Sequence, residues 1–400
     1  MAKTFFKLFL SLIFFSQILS LKIQLVDEDF VIVHIGQDNK KEYKLLVDPV
    51  GPFTYMFQKV SEVTPEEKKN TYKFQYPFGK FEGVWKEDYF YLTEDKIMSI
   101  KMPFLQITKK ETKLKGFDGV LGLGYSFKHE KGNIYETLGK MYNAFKSNKM
   151  MSYDKKKKII TIGEFPERSN YNPTIFKIYQ NEKGENPEIY LKLNKIRFVK
   201  DVEQTKVFTD VDINDNAMLT LMPVVIAPKQ RVTEMITNYK NFFDNNNQST
   251  YLDKPQSEEL NKGKDKFFTD FYMTNVSNEV DRVELVFDRM AYKFDAYEEK
   301  GKYIRPTIRF GNDKNYPFDY WFIGIDTIGI ERLDFNFEEN TVKLYSMQSY
   351  DITKSKPQLL RDVFVYMTII CIMLGFMFRV FCQKKKQDEI KPGEELIELN

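Results

Sequence analysis

Among the side chains best suited to catalysis, carboxylates are common in this chain of 400 residues, whereas imidazoles and thiols are scarce. It has 57 acidic residues but only two histidines and two cysteines. Zinc-binding Cys/His frameworks are therefore excluded, and a histidine-based mechanism would have only His34 and His129 to use. Neither histidine lies in a motif. The chemistry most open to this chain is that of paired carboxylates, with no metal and no cofactor implied.

Charge and composition narrow the class of protein further. A net charge of +3 is small for this length and gives no broad basic field, so we expect no nucleic-acid partner. The chain has 36 Phe and 24 Tyr against 15 Pro and 19 Gly, which argues against disorder and favours strands. We therefore expect a large, aromatic-rich, mostly β core.

Strand patterns recur throughout the region between residues 21 and 362. The clearest are Ile32–Ile35, Tyr43–Val47, Tyr72–Gln75, Tyr89–Leu92 and Ile159–Ile162. Helical spacing is found in Asn133–Asn148 and Pro228–Phe243. The segment Asp154–Lys158 ends in four consecutive lysines between two strand patterns, which predicts an exposed hairpin turn.

Several motifs follow one another in an informative order. Asp48 ends a strand pattern and is followed by a Pro/Gly turn, and Tyr76–Gly79 begins a hairpin. Residues Phe117–Tyr125 read FDGVLGLGY. In the second half, Leu219–Pro223 precedes the apolar segment Trp321–Ile325. This series resembles the pepsin-like aspartic protease family, and FDGVLGLGY is its most specific element.

The resemblance covers essentially the whole region between the two ends of the chain. It implies a mostly β, bilobal fold with an N-terminal lobe at 21–170, a C-terminal lobe at 171–358 and a peptide-binding cleft between them. A flap hairpin would cover that cleft. The resemblance places Tyr76, Phe78 and Gly79 of this flap against bound substrate.

Catalysis in this family needs two carboxylates about 3 Å apart that share one proton. The resemblance implies that each carboxylate belongs to an Asp-Thr-Gly-Ser/Thr loop. The first loop here reads Asp48-Pro49-Val50-Gly51, which keeps the carboxylate and loses the other three positions. Pro49 also removes a backbone N–H, and Val50 adds a β-branched side chain where the family has glycine.

The second loop aligns, by counting back from Pro223, with Asn214 at the catalytic position. An amide cannot be deprotonated, so the proton-sharing pair cannot form there. Asp215 or Asp212 would serve only in an atypical dyad, because Asp215 is one residue along and a slip of one residue turns a strand side chain to the opposite face, while Asp212 would need a two-residue insertion before Pro223. We therefore predict a pseudoprotease.

Three functions stay open at this point. The leading hypothesis is a catalytically impaired homologue that binds an extended peptide or a protein partner in the cleft. The alternatives are an active, membrane-anchored aspartic endopeptidase with an atypical dyad, and a structural surface protein whose cleft is filled by its own 244–266 segment. The sequence leaves the oligomeric state open.

The two ends of the chain predict export and anchoring. Residues 1–20 have the charged start and short apolar run of a signal peptide, and 363–382 is an apolar segment that spans about 30 Å as a helix. Lysines directly after it predict a cytosolic tail at 383–400. We expect a type I single-pass protein of the secretory pathway or cell surface, with its N-terminal region lumenal or extracellular.

Both cysteines, Cys371 and Cys382, lie in the apolar segment 363–382. The region before this segment therefore has no disulfide bonds to stabilise it. The sequons at Asn247 and Asn275 are compatible with glycosylation.

Overall fold

The structure is a computed structural model that describes most of the chain between residues 20 and 379. The described ranges are 20–27, 29–37, 41–51, 54–76, 79–93, 99–112, 115–124, 137–145, 147–166, 173–180, 189–200, 206–220, 223–244, 250–251, 268–269, 272–274, 281–300, 303–311, 318–352 and 365–379. Several predicted features lie outside these ranges: the apolar run of the signal peptide, Phe78, His129, most of the 244–266 segment, both sequons and the tail at 383–400.

The described residues of the first half of the chain form ten strands. They are β1 (Leu21–Gln24), β2 (Phe30–Ile35), β3 (Lys41–Asp48), β4 (Tyr55–Met56), β5 (Tyr72–Tyr76), β6 (Gly79–Tyr91), β7 (Ser99–Thr112), β8 (Gly119–Gly122), β9 (Met150–Asp154) and β10 (Ile159–Ile162). Buried and less buried residues alternate along β2 and β3, as expected for strands with one face on a core. The strand patterns read from the sequence here are confirmed.

The second half adds seventeen strands to the described part of the chain. They are β11 (Thr174–Lys177), β12 (Tyr179–Gln180), β13 (Ile189–Lys200), β14 (Lys206–Thr220), β15 (Val225–Ala227), β16 (Thr250–Tyr251), β17 (Phe268–Thr269), β18 (Met273–Thr274), β19 (Asp281–Phe287), β20 (Met290–Asp295), β21 (Tyr297–Lys300), β22 (Tyr303–Pro306), β23 (Ile308–Gly311), β24 (Trp321–Gly324), β25 (Ile330–Asn336), β26 (Thr341–Ser346) and β27 (Ser349–Asp351). The molecule is therefore mostly β, as predicted.

The two halves repeat one strand arrangement. In the first, the order is β2-β3-β8-β4-β7-β6-β5, and a further pairing of β2 with β6 closes the sheet on itself. In the second, β13, β14, β24, β15 and β23 follow one another in the same sense. Both β3–β8 and β14–β24 are parallel pairs. We call the two bodies the N-terminal lobe and the C-terminal lobe.

A third sheet joins the lobes. Its order is β1-β10-β9-β25-β26-β11, so three strands from the first half of the chain lie beside three from the second half, and the halves meet at the central β9–β25 pair. The lobe boundary near residue 170 stays a prediction, because residues 167–172 lie outside the described ranges.

Helices are few. They are α1 (Thr137–Phe145), α2 (Val232–Asp244), which follows a short 3-10 turn at Lys229–Arg231, and a helix at 365–379. The first falls within its predicted helical segment, and the second matches its own but ends one residue later, at Asp244. Within the described residues, no helix combines the length and apolarity needed to cross a membrane. The chain divides into two compact units, Met1–Tyr350 and Asp351–Asn400.

Candidate functional site

Asp48 is the last residue of β3 and pairs with Gly122 of the parallel strand β8. Its backbone oxygen accepts a hydrogen bond from the Leu123 N–H at 2.8 Å. The apolar run that precedes Asp48 is buried on alternate residues, so the strand ends at a fixed place in the sheet. The sequence prediction that Asp48 follows a buried strand is therefore confirmed.

The carboxylate of Asp48 is held by its own loop. Its Oδ1 atom accepts hydrogen bonds from the Val50 N–H at 3.1 Å and the Gly51 N–H at 2.9 Å. Burial raises the pKa of the Asp48 carboxyl, and the two backbone hydrogen bonds act in the opposite direction. Asp48 nevertheless retains some exposed surface, so solvent reaches part of its side chain.

The loop after β8 lies directly against the Asp48 loop. The Gly124 N–H donates to the Gly51 oxygen at 2.8 Å, and a Cβ atom at Gly124 would lie only 2.1 Å from the Val50 oxygen. Glycine is thus required here because two backbones approach each other. This contact explains part of the glycine-rich sequence FDGVLGLGY.

The C-terminal lobe presents the same arrangement around Thr220. Thr220 is the last residue of β14, pairs with Gly324 of the parallel strand β24, and accepts a hydrogen bond from the Ile325 N–H at 2.9 Å. These relations match those of Asp48 with Gly122 and Leu123. Thr220, which is almost fully buried, therefore occupies the position equivalent to Asp48.

The structure corrects the alignment that placed Asn214 at this position. Asn214 precedes Thr220 by six residues, which corresponds to about 20 Å along an extended strand. It lies at a bulge where β14 has one more residue than β13, with φ 55°. Its Oδ1 atom is 3.5 Å from the Asn194 Nδ2 atom. The alignment failed because it was anchored on Pro223 rather than on the strand that leads into the loop.

The other two carboxylates considered for an atypical dyad are engaged elsewhere. Both Asp215 oxygens accept hydrogen bonds from the Arg231 guanidinium, at 2.9 and 3.0 Å, and Oδ2 also accepts one from Trp321 Nε1 at 3.1 Å. Asp212 is exposed and lies 3.1 Å from Lys195 Nζ. The structure therefore does not bring either carboxylate to the end of β14.

The flap predicted at Tyr76 and Gly79 is a hairpin of β5 and β6, in which these two residues pair across the turn. Residues 77 and 78 and the Tyr76 side chain lie outside the description. β7 adds a third strand that reaches the tip, because Thr112 pairs with Gly79. The flap is therefore a three-stranded sheet over its whole length.

Aromatic side chains join this flap to the body of the N-terminal lobe. Phe74 and Phe81 stack with ring centroids 4.9 Å apart, and the ring of the buried Tyr55 lies 5.2 Å from Phe74 and 5.6 Å from Phe81. Tyr55 itself follows the Asp48 loop. Contacts of this kind are worth about 0.5–1.5 kcal/mol each beyond burial. The flap and the Asp48 loop are thus packed as one body.

An open pocket of about 430 Å³ lies on the flap strands. Phe74 and Phe81 also line it, although their rings pack against Tyr55 and both side chains are nearly fully buried. Its charged lining residues are Lys73, Lys80, Glu82, Lys109, Lys110 and Glu111, which gives an excess of positive charge. Such a pocket suits an acidic side chain.

Thr220 is the residue that sequence reasoning missed. The signal was present, because Ala217-Met218-Leu219-Thr220 repeats the pattern of Leu45-Leu46-Val47-Asp48, three apolar residues followed by a polar one. Within the described ranges, no cluster of three or more His, Cys, Asp or Glu side chains could hold a metal ion.

The fold is similar to that of a known enzyme. It superimposes on the crystal structure of aspartic proteinase from Irpex lacteus with a TM-score of 0.55, over 82% of this chain and 97% of that chain, at 11% sequence identity. No protein-family model and no curated protein matches the sequence. The similarity establishes a pepsin-like, two-lobed scaffold.

Proposed function

We propose that this chain is a membrane-tethered homologue of aspartic proteases that has lost peptide-bond hydrolysis and binds an extended peptide or protein segment between its lobes. The observation that carries the proposal is the register of β14 against β24, which aligns Thr220 with Asp48. A hydroxyl cannot share a proton with Asp48 as a second carboxylate would. Without that pair, the water that attacks the peptide bond has no general base and acid.

The surrounding loop also lacks the parts that would support hydrolysis. The Asp48 carboxylate is held by the backbone of Val50 and Gly51, and position 49 is a proline with no N–H to donate. A single carboxyl can still hydrogen-bond a bound segment, but it has no second carboxyl to protonate the scissile carbonyl while it acts on water.

Binding is supported by the flap. Its three strands carry backbone groups to the edge of the lobe, and extended peptides are commonly held by main-chain hydrogen bonds with pockets for alternate side chains. The pocket around Phe74, Phe81 and Lys109 would take one such side chain. Its charge favours segments that carry acidic side chains.

Hydrolysis is tested on the full chain in detergent with a fluorogenic peptide library between pH 3 and 7. We expect no turnover. Pepstatin-sensitive cleavage that Asp48→Asn abolishes would overturn the proposal and establish the alternative of an active endopeptidase.

Binding is tested by fluorescence anisotropy with two labelled decapeptides that share one Phe-rich sequence and differ in carrying Asp or Lys beside each Phe. We expect the Asp peptide to bind at least tenfold more tightly, and Lys109→Glu to reduce this preference. Lys156→Glu, on an exposed turn away from the flap, serves as the matched charge control. Equal or undetectable binding of both peptides would contradict the proposed recognition.

The tether in this proposal is the segment 363–382, in which residues 365–379 are helical with exposed side chains. Membranes from expressing cells are extracted with alkaline carbonate, which strips proteins held only at the surface. We expect the chain to stay in the membrane pellet, and a variant ended after residue 352 to be released. Release of the full chain would exclude the tether.

A further inference from the structure

The hairpin turn between β9 and β10 departs from the sequence expectation at one residue. Four consecutive lysines predicted a solvated turn, and Lys156, Lys157 and Lys158 are exposed. Lys155 is not, because only 9% of its surface is accessible. A lysine is buried at such a position only when its charge is paired.

The ammonium group of Lys155 has a partner in each lobe. Its Nζ atom lies 2.9 Å from Asp29 Oδ1 and also pairs with Asp326 Oδ1. Asp29 directly precedes β2 in the N-terminal lobe, whereas Asp326 follows β24 in the C-terminal lobe. The Lys155 N–H donates in addition to the Glu331 oxygen at 2.9 Å.

Both carboxylates belong to segments that hold the two loops of the candidate site. The backbone oxygen of Asp29 accepts a hydrogen bond from Val47 at 2.8 Å, and Val47 immediately precedes Asp48. On the other side, Asp326 directly follows Ile325, whose N–H donates to Thr220 at 2.9 Å. The Lys155 ammonium therefore lies between the backbone supports of Asp48 and Thr220.

A buried tyrosine completes this cluster. The Tyr153 hydroxyl donates to Asp29 Oδ1 at 2.8 Å, and its ring is fully buried. Burial raises the pKa of Tyr153 most, and the negative charges of Asp29, Asp326 and Asp48 raise it further. Asp48 is thus close enough for its charge to act on the same cluster.

The charge balance makes Lys155 difficult to replace. Desolvation lowers the pKa of its ammonium group, but the hydrogen bonds that it donates to the two carboxylates, together with their charges, outweigh this and leave the pKa raised. Removal of the ammonium would leave the half-buried Asp29 and the exposed Asp326 carboxylates close together without their shared countercharge, which raises the cost of ionising both. The cluster also lies just beyond Asp154, where the β9–β25 register ends, so only the Lys155 backbone bond to Glu331 and the ammonium contacts continue the connection between the lobes here.

We propose that Lys155 is a positioning residue that fixes the Asp48 loop relative to the Thr220 loop and thereby sets the spacing of the peptide groove. The proposal deepens the proposed function, on which its meaning for binding rests. The effect of Lys155 on the two loops does not depend on a bound ligand.

The test is hydrogen–deuterium exchange of the full chain in detergent, which requires no peptide. In Lys155→Met we expect roughly tenfold faster exchange both in segment 47–51 and its partner 119–124 and in segment 323–326, because each loop loses its anchor. Lys155→Arg should restore slow exchange, since a guanidinium can also pair with both carboxylates.

Two controls separate positioning from general destabilisation. Lys156→Met removes the neighbouring, exposed ammonium and should leave both loops unchanged. Ile160→Val removes one buried methyl group from the same hairpin and should raise exchange in that hairpin alone. Faster exchange in only one lobe, or in both loops of Ile160→Val, would overturn the proposal. If the loops behave as expected while the groove binds no peptide, only the proposed function fails.

Discussion

In the N-terminal lobe the strand that enters the candidate site ends in a carboxylate, whereas the equivalent strand of the C-terminal lobe ends in a hydroxyl. Asp48 and Thr220 pair with a glycine of a parallel strand, and each accepts a hydrogen bond from the next residue of that strand. The backbone is therefore repeated while the side chain is not. The fold of this site depends on apolar strands and close backbone contacts, and its chemistry can change without disturbing them.

A second pair of equivalent positions also differs, but here the carboxylate lies in the C-terminal lobe. Gly124 and Asp326 both lie two residues after the paired glycine of their strand. Gly124 allows the close approach of the Val50 carbonyl, whereas Asp326 carries a carboxylate to Lys155. The N-terminal lobe thus secures its loop by backbone packing, and the C-terminal lobe secures its own partly through charge.

The largest effect that this comparison predicts is that of Gly124→Ala. A methyl group there would meet the Val50 carbonyl at 2.1 Å, and backbone cannot move aside as a flexible side chain can. We expect the free energy of unfolding to fall by about 3 kcal/mol, measured by urea titration. Gly375→Ala, where a Cβ meets no atom within 4 Å, is the control and should leave this transition unchanged. A loss below about 1 kcal/mol would contradict the close packing of these loops.

The sequence located the strand and loop around Asp48 correctly, but it did not identify Thr220 as the equivalent residue of the C-terminal lobe. Buried alternation in β3 and the glycines of FDGVLGLGY are local signals, so the first loop and its position were readable. Thr220 depends on the register between β14 and β24, whose residues are about one hundred positions apart in sequence. The burial of Lys155 likewise depends on Asp29 and Asp326, and no local pattern in a run of lysines distinguishes it.

Thr220→Asp tests whether the two equivalent positions face each other. A second carboxylate near Asp48 would raise the pKa of Asp48 further, because like charges disfavour ionisation. We expect stability to fall by about 2 kcal/mol at pH 7 and to recover at pH 3, where both groups are protonated. Thr220→Asn is the control, since it adds a similar polar group without charge.

The Asp48 titration in this variant is followed by NMR with carboxyl-labelled aspartate. An Asp48 titration identical to that of the unmodified protein would show that Thr220 and Asp48 are not opposed across the lobes. We expect no peptide cleavage from Thr220→Asp, because Pro49 and Val50 stay in the first loop.

Asp48→Asn has a smaller effect on the free energy of unfolding, and this effect changes with pH. Because folding raises the pKa of Asp48, the stability it contributes is fully present below the unfolded pKa and is lost as pH rises through the folded pKa. The asparagine oxygen can still accept the hydrogen bonds from Val50 and Gly51. We therefore expect the variant to gain stability relative to the unmodified protein as the pH rises from 3 to 7. Urea titrations that differ by the same amount at every pH would contradict the raised pKa.

The smallest effects on stability are expected for substitutions of Asn214. They test the β14–β24 register, which aligns Thr220 rather than Asn214 with Asp48. With φ 55° at a bulge, Asn214 occupies a conformation that glycine also adopts, so Asn214→Gly should change stability by less than about 0.5 kcal/mol, whereas Asn214→Ala should cost about 1 kcal/mol. If Asn214 is remote from Asp48, Asn214→Asp should leave the Asp48 titration unchanged although Thr220→Asp shifts it. The reverse result would restore Asn214 as the partner position, because the effect of a new charge on the Asp48 pKa falls with distance.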